Sequence, residues 1–329
     1  MKISVIVTTY NLSSFIEECL QSILNQTFPP HEIIIADDCS TDNTLDLAIN
    51  LSNSLVIVRQ ERNSGALLNT LSGVAAASGD VIAFIDGDDT WPSNKLERVA
   101  EEFAADPSVI LVTHGHRRVD AAGHPLGVLD ETHANMSRLP RLEDDADRQE
   151  FLRLSILKRQ GVWFGSAYSI RKSALDLPLL SRLLTGHADA SNGYLDLVLA
   201  PFIVASNSAG RIAYMNDVIF DYRIHGANSA SSNTLEKQMR AVARGRATNV
   251  VTRDVLTSCG VDSSILDEYR LIVAEYDFLD ALYSRRHLTA LREFVDLIPF
   301  FARKRRLAKE LMRAILVSAL GPRLILKFK

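Results

Sequence analysis

Two short acidic runs carry the most visible chemistry in this chain: Asp37-Asp38, and Asp86-Gly87-Asp88-Asp89. Each follows directly on an apolar run, Ile33-Ile34-Ile35-Ala36 in the first case and Val81-Ile82-Ala83-Phe84-Ile85 in the second. Carboxylates crowded together raise one another's energy unless a cation or a hydrogen-bond donor stands between them. Two such clusters at strand ends therefore predict a hard divalent cation, Mn²⁺ or Mg²⁺, bound through oxygen. The plainer alternative, a polar turn that caps a helix, suits Asp-Gly-Asp-Asp taken alone and is weakened by the second cluster.

Other chemistries lack their signatures. The turn after the first apolar run, Thr8-Thr9-Tyr10-Asn11-Leu12-Ser13, has no GxGxxG, and the chain contains neither a GxxxxGK[ST] loop nor a GxSxG elbow. A phosphate-bearing ligand would then be held through the cation rather than by a glycine cradle. Cys19, Cys39 and Cys259 are far apart and form no CxxC pair. Neither a disulfide framework nor a structural zinc is expected, and a reducing compartment is. Cys39 lies beside Asp38 without a histidine or basic partner and reads as a small filler.

The elements that must position these acids alternate. Apolar, β-branched runs at residues 3–8, 33–36, 55–58, 81–85 and 109–113 are separated by helical patterns. The first helix carries Phe15, Cys19, Ile23 and Leu24 on one face, with Ser14-x-x-Glu17 as a capping box. Ser40-Thr41-Asp42 supplies the start of a helix over 45–51, and further helices follow over 66–77 and 96–103. Continuous apolar strands between helices predict a parallel sheet covered on both faces, an α/β fold. Such sheets bind ligands beyond the carboxyl ends of their strands, where both acidic runs fall. After about residue 120 the pattern loosens. Ala121-Ala122-Gly123-His124-Pro125 reads as a hairpin turn, residues 130–150 are polar, and beyond 235 the signal is mainly helical. His114-Gly115-His116 would put two rings on one face of a strand, and ordinary surface or packing histidines are the preferred reading over a metal pair.

The formal net charge of −4 over 329 residues argues against a nucleic-acid partner held by bulk charge. That mean hides a division. Residues 231–329 hold 18 basic and 11 acidic side chains, and residues 1–230 hold 18 and 29. No apolar run approaches the ~18 residues of a membrane span, and the opening run is too short for a signal-peptide core, so a cytoplasmic protein is expected. Residues 300–320 nevertheless combine an apolar stripe, Leu307, Leu311 and Ile315, with Arg303, Lys304, Arg306, Lys309 and Arg313. A helix of this kind can lie on an anionic membrane, or pack on its own domain or on a second copy as a homodimer. Both readings stand, and the first would put the protein peripherally on the inner face of the cell membrane.

Five motifs in order resemble the family 2 glycosyltransferases of the GT-A fold. They are Ser4-Val5-Ile6-Val7-Thr8-Thr9-Tyr10-Asn11, then Ala36-Asp37-Asp38-Cys39-Ser40-Thr41-Asp42-Asn43-Thr44, then Asn63-Ser64-Gly65. Phe84-Ile85-Asp86-Gly87-Asp88-Asp89-Thr90-Trp91-Pro92 with Lys95-Leu96 is similar to the "DxDDxW…KL" signature, and Tyr222-Arg223-Ile224-His225 with Ser229 to "YRxH…S". The resemblance implies a three-layer α/β/α sandwich over residues 1–230 and a helical C-terminal extension over 231–329. It implies an inverting transferase that moves a sugar from an NDP-sugar, UDP- or dTDP-linked, to a glycan or lipid-linked acceptor in cell-surface polysaccharide synthesis. Thr8, Tyr10, Asp38 and Asn63 would then surround the nucleotide, Asp86 would face the ribose, and Asp88 and His225 would hold Mn²⁺ or Mg²⁺.

The same resemblance implies a carboxylate base between the fourth and fifth motifs. Asp196, in Gly193-Tyr194-Leu195-Asp196-Leu197, is the candidate, with Asp189 as fallback and Asp89 as a third carboxylate near the acceptor. The family's usual "ED" pair is absent there, and Thr70 stands where many members carry Arg. The segment Gly161-Val162-Trp163-Phe164-Gly165-Ser166 looks like the acceptor-side strand and loop, with Trp163 either a sugar-stacking or a core residue. Two rivals are an inactive sugar-nucleotide-binding scaffold of the same fold and a sugar nucleotidyltransferase. The second lacks its glycine-rich basic loop after the first strand.

Overall fold

The computed structural model describes residues 1–127, 142, 144–153, 165–226 and 234–301. Its first half alternates as the apolar runs predict: β1 (Ile3–Thr9), α1 (Ile16–Leu24), β2 (Glu32–Asp37), α2 (Thr44–Leu51), β3 (Val56–Arg59), α3 (Ala66–Ala76), β4 (Val81–Asp86), α4 (Lys95–Ala105) and β5 (Val109–Val119). There follow α5 (Asp145–Phe151), β6 (Tyr168–Arg171), α6 (Leu177–Leu184), α7 (Leu195–Ser206) and β7 (Arg211–Arg223). Three helices close the described chain: α8 (Leu235–Ser258), α9 (Ser263–Tyr283) and α10 (His287–Phe301).

One seven-stranded sheet, ordered β3-β2-β1-β4-β6-β5-β7, organises these elements. It is mixed, which corrects the expectation of a purely parallel sheet. β3, β2, β1 and β4 are parallel neighbours, but β6 runs antiparallel to both β4 and β5, and β7 is parallel to β5. The crossover from β4 through α4 to β5 skips one strand position, and β6 fills it from later in the chain. Four residues are too short a run to announce a central strand.

Alternation sorts the strands onto two cores. Ile6, Ile34, Ile82 and Phe84 face α3, α6 and α7, while Val5, Val7, Ile33, Ile35, Ala83 and Ile85 face α1, α2 and α4. Val251, Val255, Ile265 and Tyr269, from α8 and α9, belong to the first of these cores. A third cluster joins α8, α9 and α10 through Val242, Phe278, Leu282 and Phe294.

Local details depart from expectation in three places. α1 begins at Ile16 with no side-chain cap, because the Leu12 carbonyl takes the amides of Phe15 and Ile16, so the predicted Ser14–Glu17 capping box does not form. Its buried face is Ile16, Cys19, Leu20 and Ile23, and Leu24 is exposed. β5 extends to Val119, which buries His114 and His116 inside the strand. His114 meets Lys95 (Nε2 to Nζ, 2.7 Å), whereas His116 packs against the rings of Phe220 and Tyr222.

Candidate active site

The site lies at the carboxyl ends of β1, β2, β4 and β7, which the sheet brings to one edge. The turn leaving β4 is stitched to its neighbours by backbone bonds: Gly87 N–H donates to Thr8 O (2.9 Å), and Thr90 and Asp221 exchange amide bonds. This holds one carboxylate oxygen each from Asp86, Asp88 and Asp89 within 4.8 Å of one another. Asp86 is open, Asp88 half-buried and Asp89 buried. Among the described residues no other group of three potential ligands is so close.

Asp89 turns inward. One of its oxygens accepts from Ser166 Oγ (2.8 Å) and the other from the Arg223 amide (3.0 Å). Burial and then the charges of Asp88 and Asp86 raise its carboxyl well above the usual range, against these two donors. Protein crowding and the charges of Asp88 and Asp196 likewise raise Asp86, although one side of it meets solvent. The cluster is thus an oxygen-donor set short of positive charge, and it fits a hard divalent cation.

β7 supplies the fourth side of the cluster. His225 Nε2 lies 2.9 Å from Asp88 Oδ2, with its ring against Phe15 at 4.5 Å between centroids. Arg223 is buried beneath: Nε donates to Asp88 O (2.8 Å), Nη1 to Ala121 O (3.0 Å), and Nη2 pairs with Glu18 (2.7 Å). The guanidinium is a brace for the acidic turn, and its motif gave no sign that it faces inward.

Asp37 and Asp38 do not join the group of three carboxylates that could share a cation. Asp37 is fully buried, accepting from Ser40 N–H (2.9 Å) and facing Arg59 (3.5 Å). Asp38 accepts from the Ser64 and Gly65 amides (2.6 and 2.9 Å) and from Ser64 Oγ (2.9 Å). Its carboxylate therefore shapes the 63–65 turn. Gly65 has φ +86°, and a Cβ there would lie 1.7 Å from Ser191 O, so no other residue fits this contact. Thr8 Oγ1 lies 3.0 Å from Thr70 Oγ1, and Tyr10 and Asn63 are exposed beside the same strand ends.

Asp196 opens α7. Burial pushes its carboxyl up to about 7, against the amides of the helix start. Its charge reaches Asp86, Tyr168 and Tyr194. Asp189 pairs instead with Arg246 (3.7 Å), which Asp277 also holds (2.6 Å). Trp163, Ser229 and residues 302–329 lie outside the described residues.

The sequence reading missed the support behind the cluster. Ser166 Oγ, besides donating to Asp89, accepts the Asp86 amide (3.0 Å), and its carbonyl accepts from Lys95 Nζ (2.9 Å). Lys95 is buried between His114 and the Trp91 ring. Burial lowers its pKa, and Asp89 opposes that. Lys95 and Ser166 thereby link His114, buried in β5, to the acidic turn. Cys19, under the turn, has its thiol pushed up by burial and by Asp89, Asp88 and Asp86, which agrees with an unreactive role for that cysteine. A depression of about 750 Å³ at the opposite end of the sheet does not coincide with the site. Its cations Arg171 and Lys172 already bond the carbonyls of Val109, Phe103 and Ala77.

Residues 4–150 match the family model described as "Glycosyl transferase family 2". The chain is 29% identical over 282 residues to an uncharacterized glycosyltransferase of Nostoc sp., covering 80% of this chain and 79% of that protein. It is 36% identical over 127 residues to the putative teichuronic acid biosynthesis glycosyltransferase TuaG of Bacillus subtilis, covering 38% of this chain and half of that protein. In three dimensions it is similar to Staphylococcus aureus TarS 1-349 solved with UDP (TM-score 0.50, 20% identity, 86% of this chain and 72% of that one). It is also similar to the mannosyltransferase PcManGT of Pyrobaculum calidifontis solved with GDP-Man and Mn²⁺ (TM-score 0.50, 18% identity, 98% and 81%). These likenesses agree with the GT-A fold.

Proposed function

Since this chain is a glycosyltransferase carrying the family 2 domain, we propose that it transfers a sugar with inversion from an NDP-sugar to a hydroxyl of a glycan or lipid-linked acceptor in cell-surface polysaccharide synthesis. The observation that carries this reading is the Asp86–Asp88–Asp89 cluster with His225 at one edge of the sheet, within electrostatic reach of Asp196. A relative named for teichuronic acid biosynthesis and another named as a poly(ribitol-phosphate) N-acetylglucosaminyltransferase support the polymer setting.

Asp88 and His225 would hold Mn²⁺ or Mg²⁺, with Asp86 beside them facing the ribose. Bound there, the cation supplies charge that lets a diphosphate approach carboxylates and stabilises it as a leaving group. Thr8, Tyr10 and Asn63 line the nucleotide side, and Asp38 acts on that side by fixing the 63–65 turn. Asp196 takes the proton of the acceptor hydroxyl as its oxygen bonds to the anomeric carbon, opposite the breaking bond to the diphosphate. A carboxyl near 7 suits that role at neutral pH. Asp89, both oxygens engaged, maintains the turn, and Asp189 belongs to the contact with α8.

Release of NDP from a panel of UDP-, dTDP- and GDP-sugars tests the reading, with and without chelator, for the wild type and Asp88→Ala. Donor-dependent release that both treatments abolish is expected, and release surviving both would overturn the cation mechanism. No described helix is long and apolar enough to cross a membrane. Residues 300–320 are proposed as a membrane contact, and sedimentation with anionic liposomes tests it: a chain ending at residue 301 should lose binding.

A further inference from the structure

Helix α8 runs along the site, with one stripe of its side chains meeting the loops that carry the functional residues. Lys237 Nζ donates to Gly226 O (2.6 Å), next to His225. Arg244 lies over the Tyr194 ring (5.3 Å to its centroid), two residues before Asp196. Thr248 Oγ1 accepts the Tyr194 amide (3.0 Å), and Thr252 Oγ1 donates to Leu197 O (3.0 Å). Spacings of 7, 11 and 15 residues from Lys237 keep all four on one helical face. The stripe therefore runs from the cation side of the site to the base side.

Two cations on that stripe have no carboxylate partner among the described residues. The other arginines of α8 do: Arg240 pairs with Glu236 (3.5 Å), Arg246 with Asp277 (2.6 Å) and Arg253 with Asp254 (2.8 Å). Arg244 meets the Tyr194 side chain, over its ring and through a hydrogen bond to it, and Lys237 bonds a backbone carbonyl. They are two turns apart, about 10.5 Å along the axis, with the small Ala241 between them on the same face. One face of α8 thus presents two positive charges beside a site otherwise rich in Asp.

We propose that Lys237 and Arg244 bind a phosphate group carried by the acceptor, seated over Ala241 beside the attacking hydroxyl. The proposal rests on the transferase reading given above. The donor's diphosphate is drawn to the cluster at the ends of β4 and β7, whereas Arg244 stands at Tyr194 on the Asp196 side. A planar guanidinium held against an aromatic side chain keeps further N–H donors in a fork that matches two phosphate oxygens. Such phosphate chemistry could come from a diphosphate-linked lipid sugar or from phosphodiesters within a polymer.

The test uses the full chain and whichever donor the release panel identifies. Dodecyl diphosphate-linked hexoses are compared with the dodecyl glycosides of the same hexoses, and glycerol phosphodiester oligomers with glycerol. In the wild type, kcat/KM for at least one phosphorylated series should exceed its uncharged match by roughly tenfold or more, the size of one charge-assisted hydrogen bond. The series that shows this preference identifies the source of the phosphate. In a Lys237→Gln/Arg244→Gln double variant the ratio should fall to about one, and Arg244→Lys should retain part of it. Equal rates for both members of each pair in the wild type would overturn the proposal, as would a ratio that survives the double variant. A change confined to the donor KM would assign the cations to the donor and overturn it too. If no donor releases NDP with any acceptor, the transferase reading itself fails, which is a separate outcome.

Discussion

Ser166 Oγ donates to the Asp89 carboxylate at 2.8 Å across 77 residues of sequence, and both groups are buried. The same oxygen accepts the Asp86 amide at 3.0 Å. One hydroxyl thus sets the position of two of the three carboxylates. Ser166→Ala leaves a buried carboxylate oxygen and a backbone amide short of a partner, which costs about 1–3 kcal/mol. Thermal unfolding should show that loss, a Mn²⁺ titration of activity should shift to higher concentration, and Ser166→Thr, which keeps the hydroxyl, should restore most of both.

His225 approaches Asp88 from the end of β7. Its removal should act on cation affinity more than on the fold. His225→Ala is expected to raise the Mn²⁺ concentration for half-maximal NDP release by roughly 10–100-fold, with rates recovering at high Mn²⁺. Unchanged cation dependence would separate His225 from the metal.

Asp196→Asn removes the proposed base while keeping shape. A fall in kcat of about 10²–10⁴ is expected, with the donor KM little changed. In the wild type the base must be ionised, and burial holds its carboxyl near 7. The rate should therefore climb as pH rises through about 7, and this limb should vanish from the residual activity of the variant.

The same group gives a stability signature of opposite sense. A carboxyl whose pKa is raised by folding favours the folded state fully at pH below the ordinary carboxylate range, and that contribution is lost as pH rises through the folded value, about 7. Asn cannot ionise. The Tm of Asp196→Asn relative to wild type should therefore grow more positive between pH 5 and pH 8. A constant or shrinking difference would count against a carboxyl whose pKa folding raises.

Gly65→Ala should be poorly tolerated, because its Cβ would overlap the Ser191 carbonyl and its φ of +86° disfavours any side chain. A destabilisation of at least ~1–3 kcal/mol is expected in denaturant unfolding, with a weakened donor KM because the 63–65 turn moves.

Much of the site could be read from residue order because its members sit in short, contiguous runs at strand ends. Asp86, Asp88 and His225 converge as their motifs imply, and the apolar runs correspond to β1 through β5. What was illegible depends on long-range closure. Tyr168-Ser169-Ile170-Arg171 is too short to advertise a central antiparallel strand, so the sheet read as parallel. Ser166 and Arg223 brace the acids through long-range hydrogen bonds, and Lys95 holds Ser166 in turn, contacts that leave no periodic trace. Asp38 resembles a ligand-facing carboxylate in its motif, yet its partners are the amides of 64 and 65, a role only the folded turn reveals.

The insertion of β6 between β4 and β5 bears on how such proteins can be recombined. The family match ends at residue 150, but the strand that joins β4 to β5 lies at Tyr168–Arg171. A chimera that kept residues 1–150 and borrowed everything downstream from a relative would place a foreign strand in the middle of its sheet. It would also inherit a foreign residue at the position of Ser166. Exchange between relatives is therefore better attempted away from the apparent domain boundary, because a crossover there divides the acidic cluster from its own support.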